Sequence, residues 1–299
     1  MQRKQLAQTG VMLPEIGFGT YRYRGGVELV RNVIERGVSL IDTAERYGNE
    51  EVVGMAMKNV RDRVFVATKT NHWKYDEVLR CAEASLKRLG CDLIDLYQLH
   101  WPNAAVPITE TMAAMEALVE GGKVRFIGVS NFTVSEMQEA QRALRKQRIV
   151  SNQVRYSLVD RTIERDLLPY CQRNHVTIIA YSPLGNRFQK ILGSDPEDVL
   201  GKVAKMTNRT KAQVALNWCI SKAGVVVIPK TESMGHLIEN CGSSDWRLSI
   251  EQIALLDDGI RYRSRSRWEV ALRRYVRRTL QRLSSLLNNP VIRQTLSIR

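Results

Sequence analysis

Short apolar runs recur along the chain and are the clearest pattern in it. They are continuously apolar, whereas a half-exposed antiparallel strand would alternate, so they predict strands that are covered on both faces. The runs are Leu40-Ile41-Asp42, Val64 to Lys69, Leu93 to Leu99, Val124 to Val129, Thr177 to Tyr181 and Val225 to Pro229.

Segments with helical spacing of apolar residues separate these runs. Thr133 and Glu136 have the spacing of a capping box, which predicts a helix start. The predicted helices are Val27 to Arg36, Glu51 to Lys58, Asp76 to Leu89, Thr109 to Glu120, Ser135 to Leu144, Ile163 to Asn174 and Ala212 to Lys222.

The alternation of strand and helix favours an α/β fold in which a parallel sheet closes into a (β/α)8 TIM barrel. We expect this barrel to be a single domain over residues 1–260. The alternative is an open doubly wound sheet. Against it, Gly17-Phe18-Gly19-Thr20 lacks the third glycine of a dinucleotide-binding turn, and no helix follows it directly.

Composition is that of a globular chain: 299 residues, 44% of them hydrophobic. No apolar run approaches the length of about 20 residues that spans a bilayer, and Met1 to Gln5 lead into no apolar signal region, so we expect a cytoplasmic protein. The five cysteines include no Cys-x-x-Cys pair, which indicates neither a disulfide framework nor a zinc site.

The positive charge is concentrated at the C-terminal end. Residues 261–299 contain eleven arginines, no lysine and one acid, so this segment carries ten of the fourteen net charges. Leu272, Val276, Leu280, Leu283 and Leu287 recur at helical spacing between the arginines, which predicts a basic amphipathic helix. We expect an extension that packs on the barrel or a second subunit, or lies on an anionic membrane surface; nucleic acid is not an expected partner, since aromatic residues are sparse.

Ionisable side chains stand where the predicted strands end. Asp42, Lys69 and His100 end three successive strands, and Tyr47 lies in the loop after Asp42. Active sites of parallel barrels lie at the carboxyl ends of the strands, so we expect these four groups to meet on one rim.

Five local strings make this constellation specific. They are Ile41-Asp42-Thr43-Ala44-Glu45-Arg46-Tyr47-Gly48-Asn49-Glu50, Ala67-Thr68-Lys69, Tyr97-Gln98-Leu99-His100-Trp101-Pro102, Ile127-Gly128-Val129-Ser130-Asn131-Phe132 and Ile228-Pro229-Lys230-Thr231. In order and spacing they resemble the aldo-keto reductase superfamily of nicotinamide-dependent carbonyl reductases, over about Leu6 to Gly259.

The resemblance implies a catalytic tetrad of Tyr47, Asp42, Lys69 and His100. Hydride arriving at a carbonyl carbon leaves negative charge on the oxygen, which needs a proton donor. In this interpretation Tyr47 is the acid, the Lys69 ammonium lowers the pKa of its phenol, and Asp42 holds the ammonium. A neutral His100 donates a second hydrogen bond to the carbonyl oxygen, and no metal is required.

The resemblance also implies a cofactor site for NADP(H). His236 stands where many NADP-specific members have an arginine, and it is a weaker, pH-dependent partner for phosphate, so NAD(H) stays open. Besides Asp42, the implied cofactor contacts are Thr20, Tyr21, Ser130, Asn131, Gln153, Tyr181, Ser182, Pro183, Leu184, Gly185, Lys230, Thr231, His236, Glu239 and Asn240.

For the substrate, Tyr23, Trp73 and Trp101 follow strand ends and are candidates, with His100, to line a mostly apolar pocket. We therefore expect NADPH-dependent reduction of an aldehyde or ketone to an alcohol. Two alternatives remain: a non-enzymatic NADP-binding regulatory subunit on the same fold, and a barrel isomerase or lyase without a redox cofactor.

Overall fold

Eight parallel strands follow one another around the sheet in their order along the chain. The computed structural model describes residues 1–287. The strands of this sheet are β3 (Phe18–Gly19), β4 (Leu40–Asp42), β5 (Phe65–Thr70), β6 (Ile94–Leu99), β7 (Val124–Ser130), β8 (Ile149–Arg155), β9 (Thr177–Tyr181) and β10 (Val225–Ile228).

Main-chain hydrogen bonds join the two edges of the sheet. The Gly17 N–H donates to the Val227 carbonyl at 2.8 Å, and the Val227 N–H donates to the Glu15 carbonyl at 2.9 Å. The sheet is therefore a barrel, as predicted, and the open doubly wound alternative is wrong. Two strands of this sheet are absent from the predicted runs: β3 is only two residues long, and β8 contains the polar run Ser151-Asn152-Gln153.

Helices connect the strands and cover the barrel. They are α1 (Val27–Glu35), α2 (Glu50–Met57), α3 (Tyr75–Leu89), α4 (Ile108–Glu120), α5 (Val134–Ala143), α6 (Leu167–Arg173), α7 (Gln189–Gly193), α8 (Val199–Thr207), α9 (Lys211–Ile220), α10 (Met234–Cys241), α11 (Ile250–Gly259) and α12 (Arg267–Leu287). The predicted capping box at Thr133 and Glu136 starts α5. Helix α6 begins four residues later than predicted, because residues 163–166 form turns.

Alternate residues of each strand belong to different cores. Leu40 and Ile179 lie in a core inside the barrel, whereas their neighbours Ile41 and Ile178 lie in the core between strands and helices. Since successive side chains of a strand point to opposite faces, covering both faces requires the continuous apolar runs that the sequence shows.

An N-terminal hairpin closes one end of the barrel. It pairs β1 (Arg3–Gln5) with β2 (Met12–Pro14), and its Leu6 and Leu13 lie fully buried in the interior core. Ala7 donates its N–H to the Thr177 hydroxyl at the start of β9, at 2.8 Å. The hairpin therefore covers the amino ends of the strands, and their carboxyl ends form the open end.

The C-terminal extension begins with main-chain contacts to the barrel. The Arg161 N–H donates to the Arg263 carbonyl and the Arg263 N–H to the Val159 carbonyl, each at 3.0 Å. The predicted helix follows as α12; residues 288–299 of the predicted extension lie outside the described residues. The boundary at 260/261 stays a prediction. Among the residues described, no helix has both the length and the apolar character needed to cross a membrane.

Candidate active site

The alternation of side chains along the strands brings polar groups to the open end of the barrel. Leu40, Ala67 and Leu96 point into the interior core. Residues two apart share a face of a strand. The same interior face therefore continues, at the carboxyl ends of β4, β5 and β6, with Asp42, Lys69 and Gln98, all of them buried.

Lys69 is the centre of this polar layer and is fully buried. Its Nζ donates to both carboxylate oxygens of Asp42, at 2.8 and 2.7 Å, and to the Thr43 carbonyl at 2.7 Å. Burial by itself lowers the pKa of the ammonium, but the Asp42 carboxylate and the Tyr47 phenol outweigh it, so the pKa of Lys69 is raised. Lys69 is therefore a fixed positive charge.

Tyr47 ends a single 3-10 turn, Glu45–Tyr47, and its hydroxyl lies 3.5 Å from the Lys69 Nζ. Burial raises the pKa of Tyr47 above its ordinary value, and Lys69 offsets only part of that rise. The prediction of a lowered pKa is wrong in its net direction, because loss of hydration outweighs one ammonium at this distance. Tyr47 is therefore protonated at neutral pH.

His100 follows β6, and its ring meets the Tyr47 ring edge to face at a centroid distance of 5.6 Å. Burial, then the charges of Lys69 and Arg46, lower the pKa of His100 to about 3. The imidazole is thus neutral at pH 7. The Asn71 side-chain nitrogen lies 3.1 Å from Nδ1, and an amide nitrogen can only donate, so Nδ1 accepts and Nε2 carries the proton.

Ser130, Asn131 and Gln153 form one hydrogen-bonded group beside the tetrad. The Ser130 hydroxyl donates to the Gln153 carbonyl at 2.9 Å, and the Asn131 amide donates to the His100 carbonyl at 3.1 Å. The Gln153 amide donates to Asp42 at 2.7 Å. Asn131 has a φ of +62°, an uncommon value that directs its side chain across the rim.

Tyr181 and Tyr21 stand on the rim near this group. The Tyr181 hydroxyl donates to the Asn131 Oδ1 at 3.0 Å, and the Tyr21 ring lies 5.1 Å from the Tyr47 ring. Thr20 is buried and donates to Asn49 at 3.1 Å. After Tyr181 the chain turns through Ser182-Pro183-Leu184-Gly185, with the Gly185 N–H donating to the Ser182 carbonyl at 2.9 Å.

The residues predicted to hold the cofactor phosphate cluster at the start of α10. Lys230 precedes it and pairs with Glu232 at 2.8 Å. Thr231 is buried, and its hydroxyl donates to the Ser233 carbonyl at 3.2 Å. His236 lies exposed in the first turn, whereas Glu239 and Asn240 lie further along α10 and are half-buried and buried. A cation beside the amino end of a helix favours an anion there.

The predicted substrate residues divide into two groups. Trp73 and Trp101 meet on the rim, where the Trp73 indole N–H donates to the Trp101 carbonyl at 2.9 Å. Tyr23, in contrast, is buried against Phe18 at a ring distance of 5.5 Å, and its hydroxyl donates to the Gly26 carbonyl. Tyr23 therefore packs in the core, and its assignment to the substrate pocket is corrected: the turn after β3 folds the ring inward.

Two polar residues of the site were missed in the sequence. Asn71 orients His100, and Gln98 lies in the buried layer 3.5 Å from the Gln153 amide. The signal was available, because Gln98 stands two residues before His100 near the end of β6, and Asn71 stands two residues after Lys69, directly after β5.

Glu45, His72 and Cys81 form the single group of three metal-capable side chains in the described part of the chain, with donor atoms within 4.8 Å of one another. Glu45 already accepts hydrogen bonds from the Asn71 N–H at 2.6 Å and the Thr70 hydroxyl at 3.2 Å. Its carboxylate therefore holds the loop that carries Asn71.

The fold and the site define a parallel barrel protein that gathers ionisable side chains at the carboxyl ends of its strands, where active sites of this fold lie. The model of the Aldo/keto reductase family matches residues 15–261. The chain belongs to the aldo/keto reductase family and is an oxidoreductase.

Named relatives and solved structures agree with this membership. The chain is 40% identical to the methylglyoxal reductase YeaE of Escherichia coli, over 86% of this chain and 95% of that protein. It is 35% identical to a glyoxal reductase of Bacillus subtilis, over 83% and 89% of the two chains. The structure resembles an aldo/keto reductase from Klebsiella pneumoniae in complex with NADP and acetate, with a TM-score of 0.80, 36% identity and coverage of 89% and 98%.

Proposed function

We propose that this protein reduces an aldehyde or ketone to an alcohol with NADPH, and that Tyr47 is the general acid. The observation that carries the proposal is the placement of Lys69, which lies within 2.8 Å of both Asp42 oxygens and 3.5 Å from the Tyr47 hydroxyl. A buried ammonium held in this position stabilises the phenolate form of the neighbouring Tyr47.

The polar groups around the rim fit a dinucleotide. Ser130, Asn131 and Gln153 offer amide and hydroxyl groups to a carboxamide, and the Tyr181 ring offers a flat face. Lys230 and His236 offer positive charge to a phosphate at the start of α10. The NADP complex of the Klebsiella relative supports the same choice. When bound, NADPH supplies the hydride.

Two side chains act on the carbonyl oxygen in this proposal. His100, protonated on Nε2, donates a hydrogen bond that orients the carbonyl and takes up developing negative charge. Tyr47 gives its hydroxyl proton to the same oxygen as the carbon is reduced. Burial keeps that proton on Tyr47 beforehand, and the Lys69 ammonium stabilises the phenolate that is left afterwards.

Replacement of Tyr47 tests the proposal. We expect Tyr47→Phe to lower kcat by about a hundredfold or more, since a positioned acid contributes that much, while NADPH binding changes by less than about threefold. Turnover is measured by NADPH absorbance and binding by quenching of protein fluorescence. The matched control is Tyr75→Phe, an exposed tyrosine at the start of α3. Turnover of Tyr47→Phe within a few-fold of the parent would rule out Tyr47 as the acid.

A carbonyl panel tests the substrate class and the non-catalytic alternative together. It should contain methylglyoxal and glyoxal, because two relatives are named for them, and larger aldehydes and ketones, because Trp73 and Trp101 border an open rim. Each is run with NADPH and with NADH. Tight NADPH binding without turnover across the panel would favour the regulatory subunit instead.

A further inference from the structure

Helix α12 contacts the barrel through its arginines. Arg277 pairs with Glu136 at 2.6 Å, Arg274 pairs with Glu139 at 3.2 Å, and Arg278 pairs with Glu139 at 3.2 Å. Both acids belong to α5. An amphipathic helix of a globular protein usually buries its apolar side, and here that side is directed away from the barrel.

The opposite side of α12 is an exposed apolar stripe. Its six described members are between 47% and 86% exposed and repeat at helical spacing: Trp268, Leu272, Tyr275, Val276, Leu280 and Leu283. At 1.5 Å rise and 100° per residue they line one side of α12 over about four turns, a sector that also contains Glu269 and Thr279. Large exposed apolar patches on soluble domains mark sites that bind another protein, a membrane or a ligand.

Arginines border the apolar stripe on both sides. At 100° per residue, Arg273 lies along one edge of the stripe and Arg282 along the other, and both are exposed. The described extension has nine arginines, and their ion-pair partners are four acids, Glu269 within it and Glu136, Glu139 and Asp166 of the barrel. The surface around the stripe therefore stays positive.

We infer that the apolar stripe of α12 binds the surface of an anionic lipid bilayer. Apolar and aromatic side chains enter the boundary between headgroups and acyl chains, while flanking arginines contact lipid phosphates. A second copy of the chain fits less well, because pairing two such helices brings their arginine borders within the screening length of about 8 Å. The site lies outside the family match, which ends at residue 261.

Helix α12, which carries the apolar stripe, lies next to the open end of the barrel. Gln281 donates to the Pro102 carbonyl at 3.0 Å and accepts from the Ala104 N–H at 3.1 Å, in the loop that follows His100 and Trp101. That loop would then lie about one helix diameter, roughly 10 Å, from the lipid surface. Carbonyl compounds that partition into membranes would reach the rim from there.

Vesicle co-sedimentation of the full chain tests the inference. The probes are vesicles of phosphatidylcholine alone and vesicles with 30% phosphatidylglycerol, at 0.1 M and 0.5 M NaCl. We expect binding to the anionic vesicles at low salt, at least tenfold weaker binding to the neutral ones, and loss of binding at high salt. No sedimentation with anionic vesicles at low salt would overturn the inference.

Two double variants, each with a matched control, measure separately how much the apolar stripe and the bordering arginines contribute to vesicle binding. Leu272→Ser with Leu280→Ser should weaken anionic-vesicle binding at least tenfold, whereas Met206→Ser with Ile250→Ser, two exposed apolar residues on barrel helices, should not. Arg273→Gln with Arg282→Gln should weaken binding about fivefold per arginine, and Arg63→Gln with Arg148→Gln, at exposed positions before β5 and β8, should not.

Sedimentation velocity and circular dichroism complete the test. Unchanged circular dichroism in all four variants shows that lost binding is not lost folding. A dimer that the Leu272→Ser and Leu280→Ser changes abolish, without any vesicle binding, would assign the stripe to a second copy. Binding of duplex DNA that survives the leucine changes, without vesicle binding, would assign the arginines to nucleic acid. Either result overturns the inference.

Discussion

Individual side chains of the site owe their chemistry to what surrounds them. Lys69 and His100 are both removed from water, yet one stays charged and the other neutral. The difference is the partner: Asp42 faces the Lys69 ammonium, whereas His100 faces Lys69 and Arg46 and the amide of Asn71. A nearby carboxylate stabilises the protonated, positively charged form of a basic group, whereas nearby cations destabilise that form.

Because His100 is neutral in the folded chain, we predict that the free energy of unfolding falls in acid. Between its ordinary pKa of 6.5 and its folded pKa of about 3, the unfolded chain binds one more proton than the folded chain. Stability is therefore lost as the pH falls through this window, by about 1.4 kcal/mol per pH unit from this residue. We expect His100→Asn to lessen the loss of unfolding free energy between pH 7 and pH 5 by about 1–2 kcal/mol in urea titrations.

His175→Asn is the matched control for that experiment. His175 is exposed and has a φ of +53°, which asparagine tolerates, so this variant should keep the parent's pH dependence. A parallel pH profile for His100→Asn and the parent would show that His100 is not held neutral in the folded chain.

Among the secondary-structure elements, α5 has one residue, Glu136, that makes both local and long-range contacts. Glu136 completes the capping box with Thr133 and also accepts ion pairs from Arg274 and Arg277 of α12. The cap is encoded within four residues and was predicted. The ion pairs depend on a segment more than 130 residues away in sequence, and no local pattern predicts them.

Removing the cap should weaken the fold measurably. We expect Thr133→Ala to lower the free energy of unfolding by about 1 kcal/mol, because the first turn of α5 loses a hydrogen-bond acceptor. Chemical denaturation measures the change. The control is Thr207→Ala in the last turn of α8, where the hydroxyl donates to carbonyls of its own helix and caps no N–H. Equal losses in both variants would contradict the role of the cap.

Across the whole molecule, the barrel and the extension are held by different forces. The described part of both hydrophobic cores contains no residue beyond Ile260. The extension is attached through the main chain near Arg263, through hydrogen bonds of Gln281, and through ion pairs with two acids of α5. Of these acids Glu136 is buried, whereas the pairs to Glu139, whose side chain is 40% exposed, contribute only about 0–1 kcal/mol each. The barrel should therefore fold without α12.

A chain that ends after Ser264 tests the domain boundary. It keeps the main-chain bonds of Arg263 and removes α12, so we expect a folded barrel whose Tm is within about 5 °C of the full chain. Its carbonyl reduction should also persist. Thermal unfolding followed by circular dichroism is the measurement. A truncated chain that aggregates or shows no cooperative transition would mean that the extension belongs to the folding unit.

The amino-acid sequence alone determined the barrel, the capping box and the amphipathic C-terminal helix, because periodicity and caps are local and burial on both faces leaves a continuous apolar run. The resemblance to a family placed Tyr47, Lys69 and His100 together. Only the tertiary structure decided that Tyr23 packs inward, that burial raises the pKa of Tyr47, and that Asn71 orients His100. It also decided which side of α12 meets the barrel. The burial of a side chain, the electrostatic potential at the Tyr47 phenol and the side of α12 that packs on the barrel all depend on residues distant in sequence. No local sequence pattern predicts them for this reason.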